Sequence, residues 1–127
     1  MSVVVVDASA VAALLFLEPA ADRLASQLAG ADLAAPTLLP YEIANVAAMK
    51  VRRRLLSRDA AAKAMGLLDR LDVRLHAVPA TRAFEVAEKT GLTAYDGAYV
   101  WLAQALGAPV ATLDARVART AGLLTPP

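Results

Sequence analysis

The sequence predicts an α/β fold: a short, mostly parallel sheet with helices on both faces. Three observations lead there. Val3 to Val6 is a β-branched run, apolar on every side and too short for a helix, as expected of a central strand covered above and below. Strand-like apolar segments alternate with helix-length segments along the chain. No Asn-Gly hairpin signal joins two strands, so the connections are right-handed crossovers. At 127 residues and 13.2 kDa there is room for one folding unit, and residues 1–127 are expected to form a single domain.

The elements follow in order. After the first strand, Ser9 can cap a helix over Ala10 to Leu17, and Pro19 restarts helix carrying Asp22, Arg23 and Gln27 until Gly30 stops it. Leu33 to Ala35 suits a second strand. From Tyr41 to Arg54, Ile43, Val46, Ala47 and Val51 recur at helical spacing, and Ser57 caps a further helix from Arg58 to about Leu71. Val73 to Val78 alternates as a strand does. Pro79 opens a helix closed by Gly91, and Thr93 opens another that Gly107 ends. Pro109 to Leu113 is a further strand, Asp114 to Ala121 a short helix, and Leu123-Leu124 a last edge strand.

Composition removes several classes of function. Hydrophobic residues make up 58% and mean hydropathy is +0.50, but alanine alone supplies 31 positions, which indicates small-residue helix packing and excludes disorder. The uncharged runs at 8–17 and 97–113 fall short of the roughly 20 apolar residues a bilayer span needs, so no membrane association is expected. Cysteine is absent, which excludes disulfides, thiol catalysis and sulfur-based zinc sites. The start lacks a basic region before its apolar stretch, so a cytoplasmic location is expected. A net charge of +1 does not mark a nucleic-acid binder; the distribution of charge must decide.

In open parallel sheets ligands bind beyond the carboxyl ends of the strands. Asp7 follows the first strand and Asp114 the strand ending at Leu113, while Glu42 and Asp96 lie in the first turns of their helices. Each has a bland explanation as a helix-start carboxylate, and Thr93 with Asp96 reads as a capping box. Taken together they say more. No Lys or Arg lies within six residues of Asp7 or within seven of Glu42, so converging carboxylates would repel one another unless a divalent cation entered. Hard oxygen ligands select Mg2+, with Mn2+ as the alternative ion, and such a cage suits phosphodiester hydrolysis. Asn45, at i+3 from Glu42, shares that helix face.

The stretches Val-Val-Asp7-Ala-Ser9-Ala, Glu42-Ile-Ala-Asn45, Leu-Thr93-Ala-Tyr95-Asp96-Gly-Ala-Tyr99 and Ala-Thr112-Leu-Asp114 resemble, in order and across the whole chain, the motifs of PIN-domain ribonucleases of the VapC toxin type. The resemblance implies a three-layer α/β/α fold and a Mg2+-dependent endoribonuclease that works as a homodimer and is held inactive by a cognate antitoxin. It also implies that Asp7, Glu42, Asp96 and Asp114 form the catalytic acid quartet, with Asp7 and Asp96 as direct metal ligands and Ser9, Asn45 and Thr112 in support.

RNA contacts are expected from Arg116, two residues after Asp114, and from Lys50 and Arg53 in a +5 run with no acid between Glu42 and Asp59. Arg53 lies eleven helical residues from Glu42, about 16 Å along the axis, so it can track flanking phosphates but not the scissile one. Tyr95, Tyr99 and Trp101 share one apolar helix and read as core packing, and His76 reads as a structural strand residue. The alternative is a non-catalytic α/β binding or receiver-like signalling module. Receivers pair two acids after the first strand and place a Lys late in the chain, whereas here Ala8 follows Asp7 and no Lys follows Lys89.

Overall fold

The structure, a computed structural model, describes residues 2–124. Among them four strands, β1 Val3–Val6, β2 Asp32–Pro36, β3 Arg74–His76 and β4 Val110–Ala111, form one sheet in the order β3-β2-β1-β4 with every pairing parallel. Val5 and Val6 are fully buried, which is why a continuous valine run can sit in the middle of the sheet. The helices are α1 Ala8–Leu15, α2 Ala21–Leu28, α3 Leu39–Arg52, α4 Arg58–Arg70, α5 Ala80–Thr90, α6 Ala94–Leu106 and α7 Ala115–Leu124. Contacts divide them into two groups: α1 touches α2, α3 and α4, whereas α6 packs on α5, α7 and three of the strands. The sheet between the groups makes the middle of three layers.

Local chemistry explains most boundaries. Helix α3 begins two residues before Tyr41 because Pro40 is accommodated in a first turn, where the missing N–H breaks no hydrogen bond. Ser57 caps α4 by accepting from the Ala60 N–H at 3.1 Å, and Gly91 ends α5 in the left-handed conformation at φ 76°. Two expectations are corrected. Helix α1 is capped by Asp7 and not Ser9, because Asp7 has the extended backbone of a cap and its carboxylate accepts from the Ala10 N–H, which places Ser9 already inside the first turn. Leu123-Leu124 is not an edge strand: the backbone of α7 continues through Leu124.

The main core joins Val5, Val6, Val11, Leu15, Leu39, Ile43 and Tyr99. Side chains of this size contribute roughly 1.5–3 kcal/mol each when fully buried. Tyr95, read from the sequence as core, is 66% exposed, while Tyr99, one turn later, is 1% exposed. No helix among the described residues is long and apolar enough to cross a membrane.

Candidate active site

Parallel topology sends the ends of β1 and β4 and the starts of α1 and α7 to one edge. Asp7 leaves β1 there and is buried at 4% exposure, the lone buried charged side chain among the described residues. Burying a carboxylate is tolerated only with donors around it. Its Oδ1 accepts from the Ser9 hydroxyl at 2.6 Å and the Ala10 N–H at 3.0 Å, and its Oδ2 accepts from the Thr112 hydroxyl. Each hydroxyl spends its one proton on Asp7, so both are left as acceptors. Ser9 Oγ then takes the Leu113 N–H at 2.8 Å and Thr112 Oγ1 takes the Asp114 N–H at 2.9 Å. This network stitches the first strand end to the last across more than 100 residues of chain.

Asp114 closes the same edge as the cap of α7, its Oδ1 accepting from the N–H groups of Arg116 at 2.8 Å and Val117 at 3.1 Å. Asp96 lies in the first turn of α6, where Thr93 accepts its N–H at 3.1 Å, so half of the expected capping box is present. Glu42, in the first turn of α3, accepts from the Tyr99 hydroxyl at 2.6 Å.

The acids share one electrostatic environment. Burial pushes the Glu42 carboxyl up and the charges of Asp96 and Asp7 add to that, while the Tyr99 hydrogen bond opposes it. Burial also pushes Asp96 up, reinforced by Asp114 and Asp7 and opposed by Thr93 and the Arg116 guanidinium. Neither carboxyl is in an ion pair among the described residues. No three of the described acidic or histidine side chains stand close enough to form a ready-made cation cage.

The remaining candidates are placed less centrally. Arg116 is held by its Nη2 on the Gly91 carbonyl at 3.0 Å, beside Asp96. Asn45 is exposed and its amide meets the Met49 sulfur at 3.7 Å, one turn away from Glu42. Lys50 pairs with Glu18 at 3.2 Å and lies 5.4 Å over the Phe16 ring, and with Arg53 it lines a groove of about 210 Å3 beside α1. Two contributors went unread in the sequence. In the sequence Tyr99 reads as core packing, although the Asp96-x-x-Tyr99 spacing puts its ring on the helix face of an acid. Gly97 lets α6 approach α5 so closely that a Cβ there would lie 2.8 Å from the Ala83 carbonyl oxygen.

The chain is similar to known proteins along nearly its whole length. A family model described as PIN domain matches residues 4–123. Ribonuclease VapC3 of Pyrobaculum aerophilum is 38% identical over 128 residues, covering 96% of this chain and 98% of its own. Ribonuclease VapC12 of Mycobacterium tuberculosis is 34% identical over 121 residues, covering 94% and 92%. The crystal structure of PAE2754 from Pyrobaculum aerophilum superposes with a TM-score of 0.76 at 25% identity, covering 94% of this chain and 79% of that one. A parallel sheet that delivers these acids to one edge, a family match along nearly its whole length and two close ribonuclease relatives have one reading: the chain belongs to the PIN-domain family, among its VapC-type members.

Proposed function

We propose that the chain is a divalent-metal-dependent endoribonuclease toxin that hydrolyses RNA phosphodiester bonds, acts as a single domain over residues 1–127 and is neutralised by a cognate antitoxin. The observation that carries this is the set of acids gathered at one sheet edge: Asp7 is buried in a network that ties β1 to β4, Tyr99 ties Glu42 to the helix that carries Asp96, and burial and neighbouring carboxylates push Glu42 and Asp96 up. Relatives named as ribonucleases support the same reading.

The donor chemistry fits Mg2+ or Mn2+. All the groups are hard oxygens, and a small hard cation keeps several waters and takes one or two carboxylates, so a preformed cage is not required. Asp7 and Asp96 are the direct ligands in this reading. A bound divalent ion activates water and offsets charge on the reacting phosphate. The protein's share is positioning. Ser9 and Thr112 spend their protons on Asp7 and fix both of its oxygens, Glu42 and Asp114 orient water at the pocket, and Asn45 stands one turn along α3 in support. With water as nucleophile no 2′,3′-cyclic phosphate forms, and departure of the ribose 3′-oxygen, protonated as it leaves, gives 5′-phosphate and 3′-hydroxyl ends.

Arg116 contacts phosphate next to the pocket, and Lys50 and Arg53 follow the flanking strand, Lys50 exchanging Glu18 for a phosphate. The exposed apolar side chains Leu17, Leu55, Phe84 and Tyr95 supply surface for a homodimer seam and for the antitoxin. The setting is cytoplasmic. The test is RNA cleavage by purified protein with Mg2+ and with chelator. Asp7→Asn and Asp96→Asn are expected to lower the Mg2+-dependent rate by at least roughly a hundredfold while the circular dichroism spectrum stays unchanged. Full activity in either variant overturns the assignment.

A further inference from the structure

Tyr99 is almost completely buried, and a phenol in a core is costly unless its hydroxyl is bonded; phenylalanine would fill the same space without that demand. The hydroxyl spends its proton on Glu42 Oε1 at 2.6 Å, across 57 residues of chain. Asp96 lies three residues before Tyr99 on α6, so this one bond joins the helix that carries Glu42 to the helix that carries Asp96.

We propose that Tyr99 is a positioning residue for Glu42: by occupying Oε1 from inside the core it leaves the other carboxylate oxygen for the sheet edge where Asp7 and Asp96 act on Glu42. The inference deepens the nuclease reading and rests on it. Asp7 has two hydroxyls and a main-chain amide to fix its carboxylate. For Glu42 the Tyr99 hydroxyl is the one side-chain donor recorded among the described residues. Without it the side chain is free to rotate, and the charge on α3 is no longer registered against the charge on α6.

The test pairs Tyr99→Phe, which removes only the hydroxyl, with Glu42→Ala in a double-mutant cycle. Mn2+ affinity is read by electron paramagnetic resonance without RNA, and cleavage kinetics are read with it. In the wild-type background Tyr99→Phe is expected to weaken Mn2+ binding and lower kcat by roughly 10- to 100-fold with KM for RNA unchanged. In the Glu42→Ala background it should have no further effect. An equal loss in both backgrounds makes Tyr99 merely structural and overturns the proposal, as does a variant indistinguishable from wild type. A wild-type protein that neither binds Mn2+ nor cuts RNA fails the nuclease reading itself. If Tyr99→Phe does not fold, fluorine NMR of 3-fluorotyrosine-labelled protein decides, with Tyr41→Phe and Tyr95→Phe giving the assignment. The Tyr99 resonance must shift on Mg2+ addition and on Glu42→Ala, and a Tyr99 resonance blind to both overturns the proposal.

Discussion

Glycine-to-alanine substitution at two helical positions separates packing strain from helix propensity. Gly66 in α4 is exposed, and a Cβ built there meets nothing within 4 Å. Gly97 in α6 is buried, and a Cβ there would lie 2.8 Å from the Ala83 carbonyl oxygen and 3.4 Å from the Ala87 nitrogen, both main-chain atoms of α5. Propensity alone favours alanine by about 1 kcal/mol at each site. At Gly97 the added carbon falls short of ordinary van der Waals contact by roughly half an ångström, and the obstacle is helix backbone, which cannot rotate aside as a side chain can. Forced overpacking of this kind costs about 1–3 kcal/mol.

Gly66→Ala is therefore expected to stabilise by about 1 kcal/mol, and Gly97→Ala to range from neutral to about 2 kcal/mol destabilising. For 127 residues the unfolding entropy converts 1 kcal/mol to about 4 °C, so the two variants should differ in Tm by about 4–12 °C. Thermal denaturation in chelator, followed by circular dichroism, measures the difference without any contribution from bound metal. Because Gly97 follows Asp96 directly, Gly97→Ala should also weaken Mn2+ binding, whereas Gly66→Ala should leave it untouched. Equal Tm values for the two variants would refute the reasoning, since α5 would then yield at no cost and the α5–α6 contact would not be holding Asp96 in place.

Acid strength supplies a second expectation. Glu42 and Asp96 hold their protons more tightly folded than unfolded, so the folded state binds more protons above about pH 4, and stability in chelator should fall as pH rises from there through their raised values, then level off. Millimolar Mg2+ should raise Tm more at neutral pH than near pH 4; an equal gain at both would refute it. Arg116→Ala should act in opposite directions on the two ligands, tightening Mn2+ binding by about two- to fivefold because Asp96 loses a neighbouring cation, and raising KM for RNA. A parallel change in both measurements would remove Arg116 from substrate contact.

Much of the fold is legible in the chain because its signals are local. The Val3–Val6 run, the Ser57 and Thr93 caps and the Gly91 and Gly107 stops each act within a few residues, and the elements they define are present. The four acids could be named for the same reason: each stands at a junction that the element order marks. What escaped notice depends on distant partners. The Tyr99 ring looks like any core aromatic until α3 brings Glu42 to its hydroxyl, and the approach of α5 that demands glycine at position 97 is a property of two helices together. Lys50 read as part of a free basic run because Glu18, its partner, lies 32 residues earlier on the far side of a strand.

The cap of α1 shows why helix-end acids and site acids are hard to tell apart in a sequence: under the proposed function they are the same residues. Asp7 and Asp114 both cap helices, and their carboxylates are held by main-chain N–H groups at the positive ends of α1 and α7. Glu42 and Asp96 receive no main-chain amide on their carboxylates among the described residues, and burial pushes both up. Capping and catalysis therefore do not compete as explanations. A parallel sheet aims helix N-termini at its carboxyl edge, and those partial positive charges are what allow acids to be gathered there. The amides make a concentration of negative charge at this edge compatible with a folded chain, while Glu42 and Asp96, which lack them, are the two carboxyls that burial and neighbouring acids push up.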